Sequence, residues 1–138
     1  MLKKLDESQR ESIRNYVKSG IEISVTDDDK VIVKQVRVIN GYILSNKELH
    51  QRARAIFPEE KIKPVVYSLD ISTITIDWIA NKMKVLGLNK KDLIKQLAIK
   101  KEDLSLYFSE KKQMDNTLKA AFYYYFLYYE LNKKLRNI

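Results

Sequence analysis

The apolar residues of this chain first recur at the spacing of a helix. Leu5, Ile13, Tyr16 and Val17, with Gln9 among them, fall near one face of residues 2–18, and Gly20 follows as a C-cap. The period then changes to two. Ile21, Ile23 and Val25 alternate with polar residues, residues 26–29 supply turn chemistry, and Val31 and Val33 resume the alternation. This pattern predicts a β-hairpin. Its second strand reads on to Val38 or Ile39, with a shift of apolar parity between Val33 and Val36 that asks for a bulge or a change of buried face. Asn40-Gly41 is the next turn signal. Ser45 caps a helix from Asn46 to Phe57, Glu48 completes a capping box, and Pro58 closes the element. Lys63-Pro64 leads into a third strand over residues 65–69.

From Thr75 onward helical periods replace the alternation. Asp77 is placed as the cap of a helix whose Trp78, Ile79, Met83, Val85 and Leu86 face inward, and Gly87 ends it. Asn89 caps a second helix, residues 90–97. A link of Ala98, Ile99 and Lys100 follows, then a third helix from Lys101 to Phe108 with Glu102 and Asp103 in its first turn, where the helix dipole favours acids. Asp115 or Asn116 caps the last helix, residues 117–135. The expected fold is therefore α+β: a small N-terminal α+β module over residues 1–72 (helix, β-hairpin, helix, strand), then an all-α domain over residues 73–138.

Charge separates the two halves. Residues 1–70 carry 13 Lys and Arg against 11 Asp and Glu, whereas residues 71–138 carry 13 against 7, so most of the net +8 lies in the second half. Such a surface attracts polyanions, of which a nucleic-acid backbone is the commonest in cytoplasm. With 45% apolar residues, 3 Gly and 2 Pro, the whole chain is expected to fold. The absence of Cys excludes disulfides, thiolate metal sites and a cysteine nucleophile. The opening MLKKLDESQR has acids where a signal peptide needs an apolar run, and no stretch approaches the roughly 20 apolar residues of a membrane span. A soluble, cytoplasmic protein is expected.

Two short helices joined by a three-residue link with a small residue in the turn are the physical content of a helix-turn-helix. Leu93, Leu97, Ile99, Leu104 and Tyr107 or Phe108 are its expected core, and Ala98 lets the helices cross closely. The stretch LGLNKKDLIKQLAIKKEDLSLYFSEKKQM resembles the phage-repressor and Cro (XRE-type) superfamily of helix-turn-helix domains. The resemblance extends over residues 74–135. Leu88-Asn89-Lys90 looks like the capped entry to the family's second helix, and Asp92-Leu93 like its acidic-leucine pair. Leu97-Ala98-Ile99 looks like the turn, Leu104-Ser105 like the isoleucine-serine pair of the recognition helix, and residues 109–112 like the basic loop after it. Ile94 stands where the family usually has alanine, and Glu110 where it usually has glycine for a positive-φ turn.

The resemblance implies a lambda-repressor-like domain that reads the major groove as a transcriptional regulator. It places Lys101, Glu102, Ser105 and Leu106 at the base edges. Asn89, Lys90, Lys91, Lys100, Ser109, Lys111 and Lys112 fall beside the phosphates. The last helix is too aromatic to bury on one face, which leaves Tyr123, Tyr124 and Tyr128 for a homodimer interface. The N-terminal module is an alternative dimerisation or partner-binding element.

Other chemistry is thin. His50 has no partnered nucleophile, Asp27, Asp28 and Asp29 lack the spaced ligands of a calcium loop, and no phosphate-cradling glycine loop occurs. No enzyme, cofactor or metal is expected. The competing readings are a plain helical bundle, a protein-interaction adaptor, and an antitoxin-type repressor whose N-terminal module or tyrosine-rich helix grips a protein partner; Glu102 and Asp103, which repel phosphate, favour the adaptor.

Overall fold

Asp6 starts the first helix. Its carboxylate accepts from the Gln9 N–H, and the Gln9 side chain accepts from the Asp6 N–H, satisfying two donors that a helix start leaves free. Helix α1 is Glu7–Lys18. It begins later than its apolar pattern predicts, and residues 2–4 lie outside residues 5–136, which this computed structural model describes. Leu5, Ile13 and Tyr16 pack on the core, whereas Val17, expected beside them, is 51% exposed. The apolar stripe is narrower than the full set of spaced residues.

Strands β1 (Ile21–Val25) and β2 (Lys30–Gln35) form the expected hairpin, with Ile21 opposite Gln35 and Val25 opposite Val31. β2 stops short of Val38 and Ile39 because the chain is diverted at Gly20. That glycine has φ +79°, and a Cβ on it would meet the Arg37 carbonyl oxygen at 2.6 Å. Its own carbonyl accepts from the N–H groups of both Val36 and Arg37. The parity shift thus marks the end of the ladder. Beyond it, the buried Gln35 side chain secures the path to α2: its Nε2 donates to the carbonyls of Arg37 and Tyr42, and its Oε1 accepts from the Leu44 N–H. One amide satisfies three backbone groups of a loop that has no ladder of its own.

Ser45 and Glu48 form the capping box of α2 (Asn46–Ile56). The third strand, β3, is Lys61–Val65, not residues 65–69. It pairs parallel with β2, Lys30 opposite Lys61 and Lys34 opposite Val65. The order is β1-β2-β3, so β3 is an edge strand, the position in a sheet that tolerates a proline such as Pro64. Leu49, Ala53 and Phe57 pack with Ile21, Ile23, Val31, Val33 and Leu44. Each large apolar side chain so buried stabilises by about 1.5–3 kcal/mol.

The chain divides into two compact units, Met1–Ser68 and Leu69–Ile138. The second opens with a 3-10 turn, Ile71–Thr73, followed by α3 (Ile76–Leu86), α4 (Lys90–Leu97), α5 (Lys101–Phe108) and α6 (Asn116–Arg136). Thr75, not Asp77, caps α3, its hydroxyl accepting from the Trp78 N–H at 3.1 Å. Asp77 instead sits within the first turn. Gly87, at φ +69°, ends α3, and the Leu88 N–H returns to the Met83 carbonyl, placing both side chains in the core. Asp115 caps α6 by accepting from the Leu118 N–H at 2.8 Å. Ile74, Ile79, Met83, Leu86, Leu88, Leu93, Leu104, Phe122 and Phe126 form one buried cluster. Val85, expected inside, is 60% exposed. The fold is α+β, and among the described residues no helix is long and apolar enough to cross a membrane.

Candidate nucleic-acid interface

The link between α4 and α5 turns on one residue. Ala98 has φ 54° and ψ 38°, a left-handed conformation that costs a residue with a Cβ roughly 1–2 kcal/mol. Lys100 returns to an extended backbone and α5 begins at Lys101. Asn89 and Asp92 cap α4 reciprocally, side chain to backbone in both directions. The two short helices meet through Leu93 and Leu104, both fully buried, with Ile94, Leu97, Ile99 and Phe108 packed around them. Ile94, larger than the alanine of the resembling family, is accommodated at the edge of this core.

Burying Leu104 fixes which side of α5 faces outward. Lys101, Glu102, Ser105 and Leu106 are all exposed, and offsets of one, four and five residues spread them over an arc of about 140° that excludes Leu104. The four expected base-reading residues therefore share a single outward surface. Asp103 lies at its edge, bound to Lys112 at 3.3 Å.

The expected phosphate contacts divide into two groups. Lys90, Lys91, Lys100 and Lys111 are exposed. Lys90 reaches across to α5, its Nζ 4.8 Å from the centre of the Phe108 ring, which brings the start of α4 beside the end of α5. Asn89, Ser109 and Lys112 are exposed as well, but their polar groups have partners within the chain. The Asn89 side chain is committed to its cap, the Ser109 hydroxyl donates to the Leu106 carbonyl, and Lys112 lies between Asp103 and the Tyr107 ring, 5.5 Å from its centre. The seating of these lysines on Tyr107 and Phe108 is a feature that the sequence reading misses; aromatic residues at the last turn of α5 beside flanking lysines are its signal.

Glu110 occupies the turn that closes α5 with φ 60°. Its N–H donates to the Tyr107 carbonyl and the Lys111 N–H to that of Leu106, the paired bonds that end a helix at a left-handed residue. The turn forms without the glycine.

On α6, Phe122 and Phe126 are buried. Tyr123 stacks on Trp78 with centroids 6.2 Å apart and meets Tyr124 edge-on at 5.0 Å. Of the three expected interface tyrosines, Tyr123 is packed against the core, while Tyr124 and Tyr128 are 37% and 67% exposed. Leu131 continues this stripe. Burial, and secondarily the neighbouring Tyr123, raises the Tyr124 phenol above its ordinary pKa. His50 lies half-buried on α2. At the hairpin tip Asp28 accepts from the Thr26 hydroxyl, which holds its pKa below the ordinary value, and pairs with Lys30.

No family model matches the chain, and no solved structure does. It is 31% identical over 85 residues, 62% of its length, to a protein of Bacillus subtilis (strain 168) named Toxin YxiD. The match spans only 13% of that relative.

Proposed function

We propose that the chain is a non-enzymatic, sequence-specific DNA-binding regulator of repressor type, acting in the cytoplasm. Its second unit is read as a lambda-repressor-like domain that lays α5 in the major groove. One observation carries the reading: Lys101, Glu102, Ser105 and Leu106 form one exposed face, with Lys90, Lys91, Lys100 and Lys111 at the ends of the two helices that frame it. In a duplex complex those lysines meet phosphate and release counterions, while the α5 face meets base edges. Lys101 can donate to guanine, Glu102 can accept from cytosine N4, and Ser105 is less selective. Of the two acids in the first turn, Asp103 is paired with Lys112, and Glu102 stays on the exposed face of α5.

The test is binding of labelled duplexes at two or more salt concentrations, followed by selection from a randomised pool. Binding that weakens steeply as salt rises, with an enriched sequence, supports the reading. No binding at low salt abandons it.

A second reading, a protein-interaction or antitoxin-type module, rests on the aromatic residues that α6 leaves exposed, Tyr124 and Tyr128. There the exposed Tyr124 and Tyr128, or the N-terminal unit, grips a protein partner and α5 contacts no DNA. Absence of duplex binding, together with co-purification of one stoichiometric protein partner from the native host, selects it.

A further inference from the structure

The sheet of the N-terminal unit has one covered and one open face. Ile21, Ile23, Val31, Val33 and Ile62 belong to the core that α1 and α2 cover. Side chains alternate along a strand, and paired residues of neighbouring strands share a side. The opposite face is therefore composed of Glu22 and Ser24 on β1, Lys30, Ile32 and Lys34 on β2, and Lys61, Lys63 and Val65 on β3. All four lysines are exposed.

Their register is unusual for a merely solvated surface. Lys30 stands directly opposite Lys61, and Lys63 is opposite Ile32, one pair further along. Like charges directly opposite each other destabilise a strand pair, and a single acid, Glu22 opposite Lys34, lies on this face to offset them. Asp28 of the hairpin tip reaches Lys30 at 3.4 Å, with both side chains largely exposed, so that pair is weak. The net result is a charge of about +3 on a patch roughly 10 Å by 14 Å, given strands about 4.8 Å apart and 3.3 Å per residue along each.

We propose that this open sheet face binds the phosphate backbone of nucleic acid without reading its sequence. The lysines are held on a rigid ladder and project to one side, so meeting phosphates costs little ordering, and each contact releases condensed counterions. The occupant is a nucleic acid and not an anionic membrane: the face has no aromatic residue, and its central apolar residue, Ile32, is half-buried, leaving nothing to enter the acyl boundary. This inference is independent of the assignment of α5, because the two surfaces belong to different units of the chain.

The experiment uses the full chain with Lys34→Gln, Lys61→Gln and Lys63→Gln combined, measured by fluorescence anisotropy on duplex and single-stranded oligonucleotides of arbitrary sequence over a range of salt. The log affinity against log salt should lose up to about 2.7 units of slope on duplex and about 2.1 on single strand, at about 0.9 and about 0.7 per phosphate contact. Affinity at low salt should fall at least tenfold. The corresponding lysine-to-arginine triple variant should retain both. The melting temperature of the glutamine variant should stay level or rise, since like-charge repulsion has been removed; a structural role would lower it. Should the triple variant unfold, Lys61→Gln alone reads the same effect as about one unit of slope. An unchanged slope in a folded variant overturns the inference, as does loss of binding to phosphatidylserine vesicles while nucleic-acid binding is retained. Wild-type protein that binds neither oligonucleotide at low salt overturns both this inference and the α5 reading. Affinity and salt slope that both match wild type in the glutamine variant overturn this inference alone.

Discussion

At Glu110 local conformation and local chemistry are opposed. It adopts φ 60° at the end of α5, where a side chain with a Cβ is strained and glycine is not. The two backbone bonds that close the helix do not involve its side chain. Glu110→Gly should therefore raise stability by about 1 kcal/mol, read as a shift of the denaturation midpoint without a change of slope. A loss of stability would mean that the glutamate side chain holds the turn. The sequence made the place of this turn legible, through Ser109 and the basic residues after it, but not its conformation, because glutamate carries no signal for positive φ. Gln35 was illegible for a related reason. A polar residue in an alternating strand reads as solvent-facing, and only the fold reveals that its amide is spent on the carbonyls and N–H of residues 37, 42 and 44.

At the scale of elements, capping chemistry was the most faithful guide. Ser45 with Glu48 and Asn89 with Asp92 open their helices as their spacing predicts. Glu48 is the clearer case for measurement: the Ser45 N–H, and then the Tyr42 hydroxyl, hold its carboxyl below the ordinary glutamate pKa. The same contact raises the Tyr42 phenol. A depressed folded-state pKa adds stability above the unfolded value of about 4.3. That contribution disappears as pH falls through the lower folded value. Melting temperature followed from neutral pH into acid should thus show a decline below that range that Glu48→Gln makes shallower, and identical curves would exclude the effect. Strand boundaries were less legible. The lead-in to Pro64 drew the third strand to residues 65–69, whereas parallel pairing with β2 sets it at Lys61–Val65. That displacement also hid Lys61 and Lys63 as members of a sheet. For α5 the expectation divides by role. Lys101→Ala or Ser105→Ala should change the selected DNA sequence, with discrimination falling by about 1–3 kcal/mol at one position. Lys111→Ala should weaken all duplexes alike. Lys112, engaged by Asp103 and Tyr107, is the less informative substitution. Selection profiles unchanged by both Lys101→Ala and Ser105→Ala would remove α5 from the groove.

For the whole molecule, the proposed function raises the question of how many copies would meet a site, since one helix-turn-helix touches few base pairs and a two-fold assembly doubles the contacts. The outward residues of α6 bear on this directly. Tyr124, Tyr128 and Leu131 lie at successive offsets of four and three, so they form a stripe on one side of the helix. Tyr123, counted with them on composition, is turned toward Trp78 and the core, and it drops out as a primary contact. Tyrosines are suited to an interface because they bring large area at little rotamer cost and keep a hydroxyl for hydrogen bonding. A symmetric pairing along this stripe would bury Tyr124 further, where a carboxylate would face its symmetry mate without compensation. Tyr124→Glu should accordingly give a folded monomer whose operator binding is at least tenfold weaker, while its circular dichroism matches wild type. Sedimentation velocity at several concentrations is the measurement. A wild-type chain monomeric throughout removes the dimer, and a dimer that survives Tyr124→Glu moves the contact to the N-terminal unit, where β1 and β3 each present an edge.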